Sequence, residues 1–252
     1  MPRRPMAAAG TTPRAAEGRP HLRQDREVPT LFEEADTLLR RGDVEGALRL
    51  VGDLRGPAGA RGGPDGRSSQ DRLRLRLQGA LKYRFAEVSG LSVQARDEIR
   101  VALAIGSLFG IGASHLLARV WPALSQEQYG FLTLDRCVQR LREPDAGPLD
   151  PWLSHIANGL DGREREQVRA EMLVHNAYFT VLHSAELVDM ERQILARPPR
   201  LVGVRVQALR RSGCPICIWP DLVYTVRNLR DLPALPAHPG CRCLYRPVTL
   251  EG

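Results

Sequence analysis

Four of the five cysteines lie within thirty residues near the end of the chain, grouped in two pairs. The first pair is Cys214 and Cys217 in CPIC, and the second is Cys241 and Cys243 in HPGCRC, where His238 precedes it. Zn²⁺ favours thiolate and imidazole ligands in a tetrahedral arrangement, and a C-x2-C turn lets two sulfurs bind one ion. The spacing therefore predicts one zinc ion per chain, with these five residues as the candidate ligands.

Five candidate ligands compete for the four places of a tetrahedral site. The identity of the fourth ligand stays open. Because ligands are in surplus and no Asp or Glu adjoins either pair, we expect a structural zinc site and no enzymatic activity.

The same cysteines could instead form disulfides in an oxidising compartment. The first twenty residues contain no continuous apolar segment typical of a secretory signal. We therefore expect a reducing, cytoplasmic environment, in which metal binding is favoured over disulfides. Cys137 stands alone in a helical stretch and is predicted to be a core residue.

The composition favours helices, because aromatic residues make up only 5% of the chain while Leu, Ala and Arg dominate. We expect a mainly α protein whose helical body carries a small irregular or β zinc-binding module. The predicted organisation is a flexible basic arm at 1–28, a helical hairpin at 29–55, a linker at 56–68, a helical domain at 69–212 and the zinc-binding module at 213–252.

The hairpin should be joined at Gly42 and Asp43, where Gly can end one helix and Asp can cap the next. Ala35, Gly42 and Ala47 resemble the small-residue positions of a tetratricopeptide unit. A single such unit cannot bury its faces without stacked neighbours, so we favour a simple helical hairpin.

Further helices are predicted over about 69–88, 92–120, 125–142 and 161–196, with breaks at Gly90, at Pro122 and in EPDAGPLDP, and a short helix over 201–211. Residues 101–118 carry no charge and just reach the length of a membrane span. The three Gly and two Ser in this segment, and the lack of a second span, favour a buried central helix.

Two acid–histidine pairs lie at helical spacing, Glu171 with His175 and His183 with Glu186. Such pairs could bind a metal, but they also arise readily on solvated helix faces, which is the interpretation we favour. The sequence shows no phosphate loop, dinucleotide fingerprint or serine-nucleophile elbow. A nuclease of the His-Asn-His class would need more histidines around the zinc-binding module.

The segments CPIC, LPALPAHPGCRC and YRPV resemble the carboxy terminus of the Mu-like phage head morphogenesis, or minor head protein, family. The similarity covers residues 214–248, and residues 1–160 carry no motif of the family. It implies that the five Cys and His residues form a metal motif and that the protein assembles with portal and capsid proteins, in the host cytoplasm or the virion. The alternatives are a cellular or mobile-element zinc protein that binds nucleic acid or a protein, and a metal-dependent nuclease or toxin.

The net charge of +7 is concentrated at the two ends of the chain. Residues 1–27 hold six Arg against three acids, and residues 197–252 hold nine Arg against three acids, which gives +3 and +6 and leaves −2 for the middle. Such ends suit a phosphate-rich partner, although a GC-rich genome, whose codons favour arginine, explains them equally well.

If these ends bind nucleic acid, we expect binding without sequence preference and a steep loss of affinity with salt, because phosphate contacts release counterions. Deleting residues 1–27 should reduce the slope of log affinity against log salt concentration, measured by fluorescence anisotropy on two unrelated duplexes. Affinity that is independent of salt, or selective for one duplex, would contradict this expectation.

Overall fold

The computed structural model describes residues 28–55, 69–86, 88–132, 134–143, 151–160, 164–196, 199–208, 214, 216–238 and 241–249. The predicted arm, apart from Val28, and the predicted linker at 56–68 lie outside these residues. The fold is mainly helical with a small carboxy-terminal sheet, as the composition predicts. Its helices are α1 Val28–Arg40, α2 Val44–Arg55, α3 Ser69–Leu81, α4 Val93–Phe109, α5 Ala113–Leu124, α6 Leu134–Leu141, α7 Pro151–Gly159 and α8 Arg165–Leu195. Its strands are β1 Val88–Ser89, β2 Gly130–Phe131, β3 Leu201–Gln207, β4 Val223–Tyr224 and β5 Leu244–Thr249.

The predicted hairpin of α1 and α2 is present, and its joint lies at the expected residues. The amide of Gly42 donates to the carbonyl of Leu39 at 3.0 Å, and Asp43 Oδ1 accepts the amide of Gly46 at 2.7 Å. This side-chain acceptor satisfies one of the free amides in the first turn of α2. The buried side chains of the two helices are Leu31, Ala35, Leu39, Ala47, Leu48, Leu50 and Val51.

Helix α4 forms the centre of the helical body. The uncharged segment that begins at Val101 is buried up to Gly106, and Leu108 is also buried, so the predicted core helix is confirmed here. The single helix expected over 92–120 is wrong, since Gly110 adopts a left-handed conformation (φ 71°) that ends α4. No helix in the described ranges is both long and apolar enough to span a membrane.

Three other sequence-based expectations are wrong. Pro122 lies inside α5, whose buried residues Leu116, Val120 and Leu124 continue past it, so packing outweighs the helix-breaking effect. The helix expected over 125–142 is reduced to α6, because β2 pairs with β1. The helix expected over 201–211 is strand β3 as far as Gln207, since its buried and exposed residues nearly alternate and its valines favour strands.

Two hydrophobic cores share α8. The amino-terminal half of α8 packs into the helical body through residues such as Val168, Leu173 and Val181. Its carboxy-terminal part contributes Met190 and Ile194 to a second core with the sheet. In that sheet, β3 lies between β4 and β5 and is antiparallel to both. Helix α8 therefore anchors the sheet and its loops to the helical body.

The close approach of α4 and α5 at Gly106 gives a stability test. A Cβ atom at this position would lie 2.6 Å from Leu116 Cδ1 and 3.0 Å from the Ile111 carbonyl oxygen. Gly106→Ala should therefore lower the free energy of unfolding by about 1–3 kcal/mol in urea titrations. Gly79→Ala is the matched control, because a Cβ there meets Val181 at an ordinary 3.7 Å. The control should raise stability by up to about 1 kcal/mol, and equal effects of the two variants would contradict the packing described.

Candidate metal centre

The sheet brings the two cysteine pairs together. Cys217 lies in the segment that leads to β4, and Cys243 immediately precedes β5. Because β4 and β5 flank the same strand, the segments leading into them lie close in space. Cys241 and Cys243 lie just before β5 and are both buried, as expected of residues two apart in an extended chain, whose side chains share a face. Their sulfurs form one group of potential ligand atoms with the sulfur of Cys217.

The five predicted ligands form two contacting groups of three. One group is Cys214, Cys217 and His238, and the other is Cys217, Cys241 and Cys243. Within each group the potential ligand atoms lie within 4.8 Å of one another. His238 Nε2 is 3.2 Å from the Cys214 sulfur and 3.0 Å from the Cys217 sulfur, and the Cys217 and Cys241 sulfurs are 3.7 Å apart. This cluster can hold a metal ion, and Cys217 belongs to both groups.

Burial and close contact between the thiols make it costly for several of them to be deprotonated at once. A hydrogen bond with Cys217 lowers the pKa of Cys214 to about 4, and the reciprocal bond raises the pKa of Cys217 far above its usual range. Hydrogen bonds with Cys217 and Cys243 likewise lower the pKa of Cys241. Although Cys217 lowers the pKa of Cys243, its hydrogen bond with Cys241 and burial raise it to about 11. Without a cation, the cluster therefore keeps protons on some sulfurs so that others can be charged.

The neighbouring cysteines also shift the pKa of His238. Burial lowers its pKa, but hydrogen bonds with Cys214 and Cys241 outweigh burial and raise the pKa to about 10. The protonated imidazole thus supplies a positive charge beside the cysteine sulfurs. A divalent metal would supply that positive charge and allow the ring to bind through a neutral nitrogen.

Two aromatic residues that the sequence analysis missed support the cluster. The indole N–H of Trp219 donates to the Cys243 sulfur at 3.1 Å. The Tyr245 hydroxyl donates to the carbonyl of Pro233 at 2.8 Å and accepts the amide of Leu235 at 3.0 Å, which ties β5 to the segment before His238. Each aromatic residue lies two positions after a cysteine, and that spacing was the available clue.

The acid–histidine pairs of α8 differ from the expectation of solvated helix faces. His175 and His183 are only 9% and 1% exposed. Glu171 accepts a hydrogen bond from the His155 ring at 2.8 Å rather than pairing with His175, while His183 Nδ1 lies 3.4 Å from Glu186. Among the described residues, groups of three or more potential metal ligands occur only in the Cys/His cluster.

The shared position of Cys217 gives a test of the cluster. Cys217→Ser removes a ligand from both groups and should weaken Zn²⁺ binding more than about 100-fold, whereas Cys243→Ser should cost about 10–100-fold, the range for residues that support a metal ligand. Competition with a chromogenic chelator measures both affinities. Cys137→Ser, which removes a cysteine outside the cluster, should leave the affinity unchanged. A larger loss from Cys243→Ser than from Cys217→Ser would contradict the central place of Cys217.

Comparison with known proteins yields no match: no family model, no curated protein and no solved structure matches this chain.

Proposed function

We propose that the cluster binds one Zn²⁺ through Cys214, Cys217, His238 and Cys241. Three sulfur donors and one imidazole suit zinc better than the oxygen-preferring ions. Cys241 is chosen as the fourth ligand because it contacts both Cys217 and His238. In this assignment Cys243 supports the site from outside, with its sulfur accepting the N–H of Trp219.

The proposed role of the zinc is structural. Of the four assigned ligands, Cys217, His238 and Cys241 are buried and Cys214 is half-buried, so the described part of the chain largely encloses them, as is typical of structural zinc sites. The apolar core beside the cluster is small, and its members include three of the cysteines themselves. Zinc ligation in such small modules contributes about 10–16 kcal/mol, which is enough to decide whether they fold. The protein would then act by binding and assembly rather than by catalysis.

For the whole protein, we propose a phage or prophage minor head protein that acts in capsid assembly near the portal and the DNA. The observation that carries this proposal is the order CPIC, HPGCRC and YRPV, which resembles the head morphogenesis family. The convergence of the two cysteine pairs on one buried cluster supports it, because the resemblance implies a single metal motif. The basic carboxy-terminal region is compatible with a position close to packaged DNA.

The segment between the two cysteine pairs offers a surface for a protein partner. Ile218, Leu222 and Val226 are 76%, 43% and 57% exposed, although each is a large apolar residue. They fall within nine residues of one another, between β3 and the short 3₁₀ helix Leu229–Asp231. Burial of such side chains against a partner is favourable, and zinc would fix the segment that presents them.

Co-expression with the portal and major capsid proteins of the same genetic element tests the proposed function. The wild-type protein should co-purify with portal or procapsid in few copies, quantified by mass spectrometry. Cys217→Ser should reduce co-purification to background, because a loosened module must be ordered on binding at extra cost. Ile218→Ser combined with Val226→Ser should also reduce it while leaving zinc content unchanged.

Cys137→Ser is the matched control for the loss of a thiol, and it should co-purify like the wild type. If the wild-type protein remains free while complete heads form without it, the minor head protein proposal fails. A cellular or mobile-element zinc protein then becomes the better hypothesis, and nucleic-acid binding is its first test.

A further inference from the structure

The Cys/His cluster holds one donor more than a tetrahedral zinc ion uses. Zinc takes four ligands in structural sites, and the assignment above gives it Cys214, Cys217, His238 and Cys241. Cys243 remains, yet it is buried and its sulfur lies within 4.8 Å of the sulfurs of Cys217 and Cys241. A single tetrahedral ion does not need a fifth donor in contact with its ligands.

The five donors divide into two sets of three that share one sulfur. The first set has two sulfurs and one nitrogen, from Cys214, Cys217 and His238, and the second has the three sulfurs of Cys217, Cys241 and Cys243. A thiolate sulfur keeps a lone pair after it binds one ion, so it can bridge to another. Two three-coordinate ions would therefore use all five donors, with the Cys217 sulfur bound to both.

The distances within the sets allow an ion to bind in each. In the first set, His238 Nε2 is 3.2 Å from the Cys214 sulfur and 3.0 Å from the Cys217 sulfur. In the second set, the Cys217 and Cys241 sulfurs are 3.7 Å apart. Each distance is shorter than two metal–ligand bonds end to end, which together span about 4 Å or more. One ion can therefore contact both donors of each pair.

The donors and their grouping in threes favour monovalent copper. Soft sulfur ligands select Cu(I), Zn²⁺ and iron–sulfur clusters. Cu(I) is stable with three ligands in a plane, whereas structural zinc takes four. An iron–sulfur cluster held by four thiolates would leave His238 without a role, although its ring contacts two of the sulfurs. Cu(I) is the ion that accounts for both sets.

The change in charge on copper binding falls beside a hydrogen-bond donor. Three thiolates with Zn²⁺ carry a net charge of −1, and four thiolates with two Cu⁺ carry −2. The additional thiolate is Cys243, whose sulfur lies 3.1 Å from the indole nitrogen of Trp219. A hydrogen bond donated to a charged sulfur stabilises it. Trp219 is therefore placed to support Cys243 as a ligand.

We propose that the cluster exchanges its zinc for two Cu(I) ions bridged by the Cys217 sulfur. In the exchange one Zn²⁺ leaves, two Cu⁺ enter and the Cys243 thiol releases one proton, so the charges balance and no atom is oxidised or reduced. The inference rests on the proposed assignment of the cluster as a metal site. It goes beyond the structural role, because it makes the metal content of the module responsive to copper.

Anaerobic titration of the full zinc-loaded chain tests the exchange. Cu(I) is added as its acetonitrile complex and buffered with excess bicinchoninate, and bound copper and released zinc are measured by mass spectrometry after desalting. Two coppers should bind for each zinc released, and X-ray absorption at the copper edge should show a copper–copper path. One copper for each zinc, zinc that stays bound, or two coppers without that path would overturn the proposal.

Two variants separate the copper sites from the zinc site. Cys243→Ser should keep one zinc, more weakly held, but take up one Cu(I) instead of two, because the second set loses a sulfur. Cys214→Ser should lose tight zinc binding and still take up one Cu(I), because the second set is intact. Cys137→Ser removes a cysteine outside the cluster and should bind one zinc or two Cu(I). Uptake of two Cu(I) by Cys243→Ser would contradict the assignment.

The outcomes distinguish this inference from the proposed zinc site. A wild-type chain that binds one zinc but never two Cu(I) overturns the copper proposal and leaves the zinc site standing. A chain that binds two Cu(I) but no zinc supports the copper proposal and overturns the zinc assignment, and a chain that binds neither overturns both. The wild-type titration decides the matter if a variant fails to fold.

Discussion

The interaction on which the carboxy-terminal structure depends is the contact of four thiols and one imidazole in a mostly buried cluster. Sulfurs as close as Cys217 and Cys241, 3.7 Å apart, cannot all be charged without a neighbouring cation. The opposite pKa shifts of Cys214 and Cys217 express this constraint, since one sulfur gains charge only while the other keeps its proton. A bound divalent metal would remove the conflict, because it would let several thiols deprotonate together.

The cluster gains its fixed position from α8 rather than from the sheet alone. Met190 and Ile194, near the end of α8, pack with β3 and with the buried cysteines. Earlier residues of the same helix belong to the core of the helical body. His183 lies between these regions, with its ring 5.5 Å from that of Tyr245 on β5. The long helix thus connects the large apolar core of the body to a smaller apolar core that includes three buried cysteines.

The residues of the Cys/His cluster, the hairpin and the buried central helix could be predicted because each leaves a local pattern: chelate spacing, a turn with its cap, and an uncharged run. Strand β3 escaped prediction because its hydrogen-bonding partners, β4 and β5, are distant in the sequence. His175 and His183 were assigned to solvated faces, yet both are buried, since helical spacing does not reveal which face a neighbour covers. Pro122 was expected to end a helix, but packing carried α5 past it. Long-range contacts decided each of these cases.

Hydrogen exchange of the zinc-loaded chain, compared before and after chelation, tests the central claim that a metal holds the carboxy-terminal module together. The amides of β3 and β5 should lose most of their protection when the metal is removed, because the sulfur-rich core beside them loses its cation. Those of α4 should keep their protection, because the apolar core around them contains no metal ligand. Unchanged protection of β5 in metal-free protein would contradict the account.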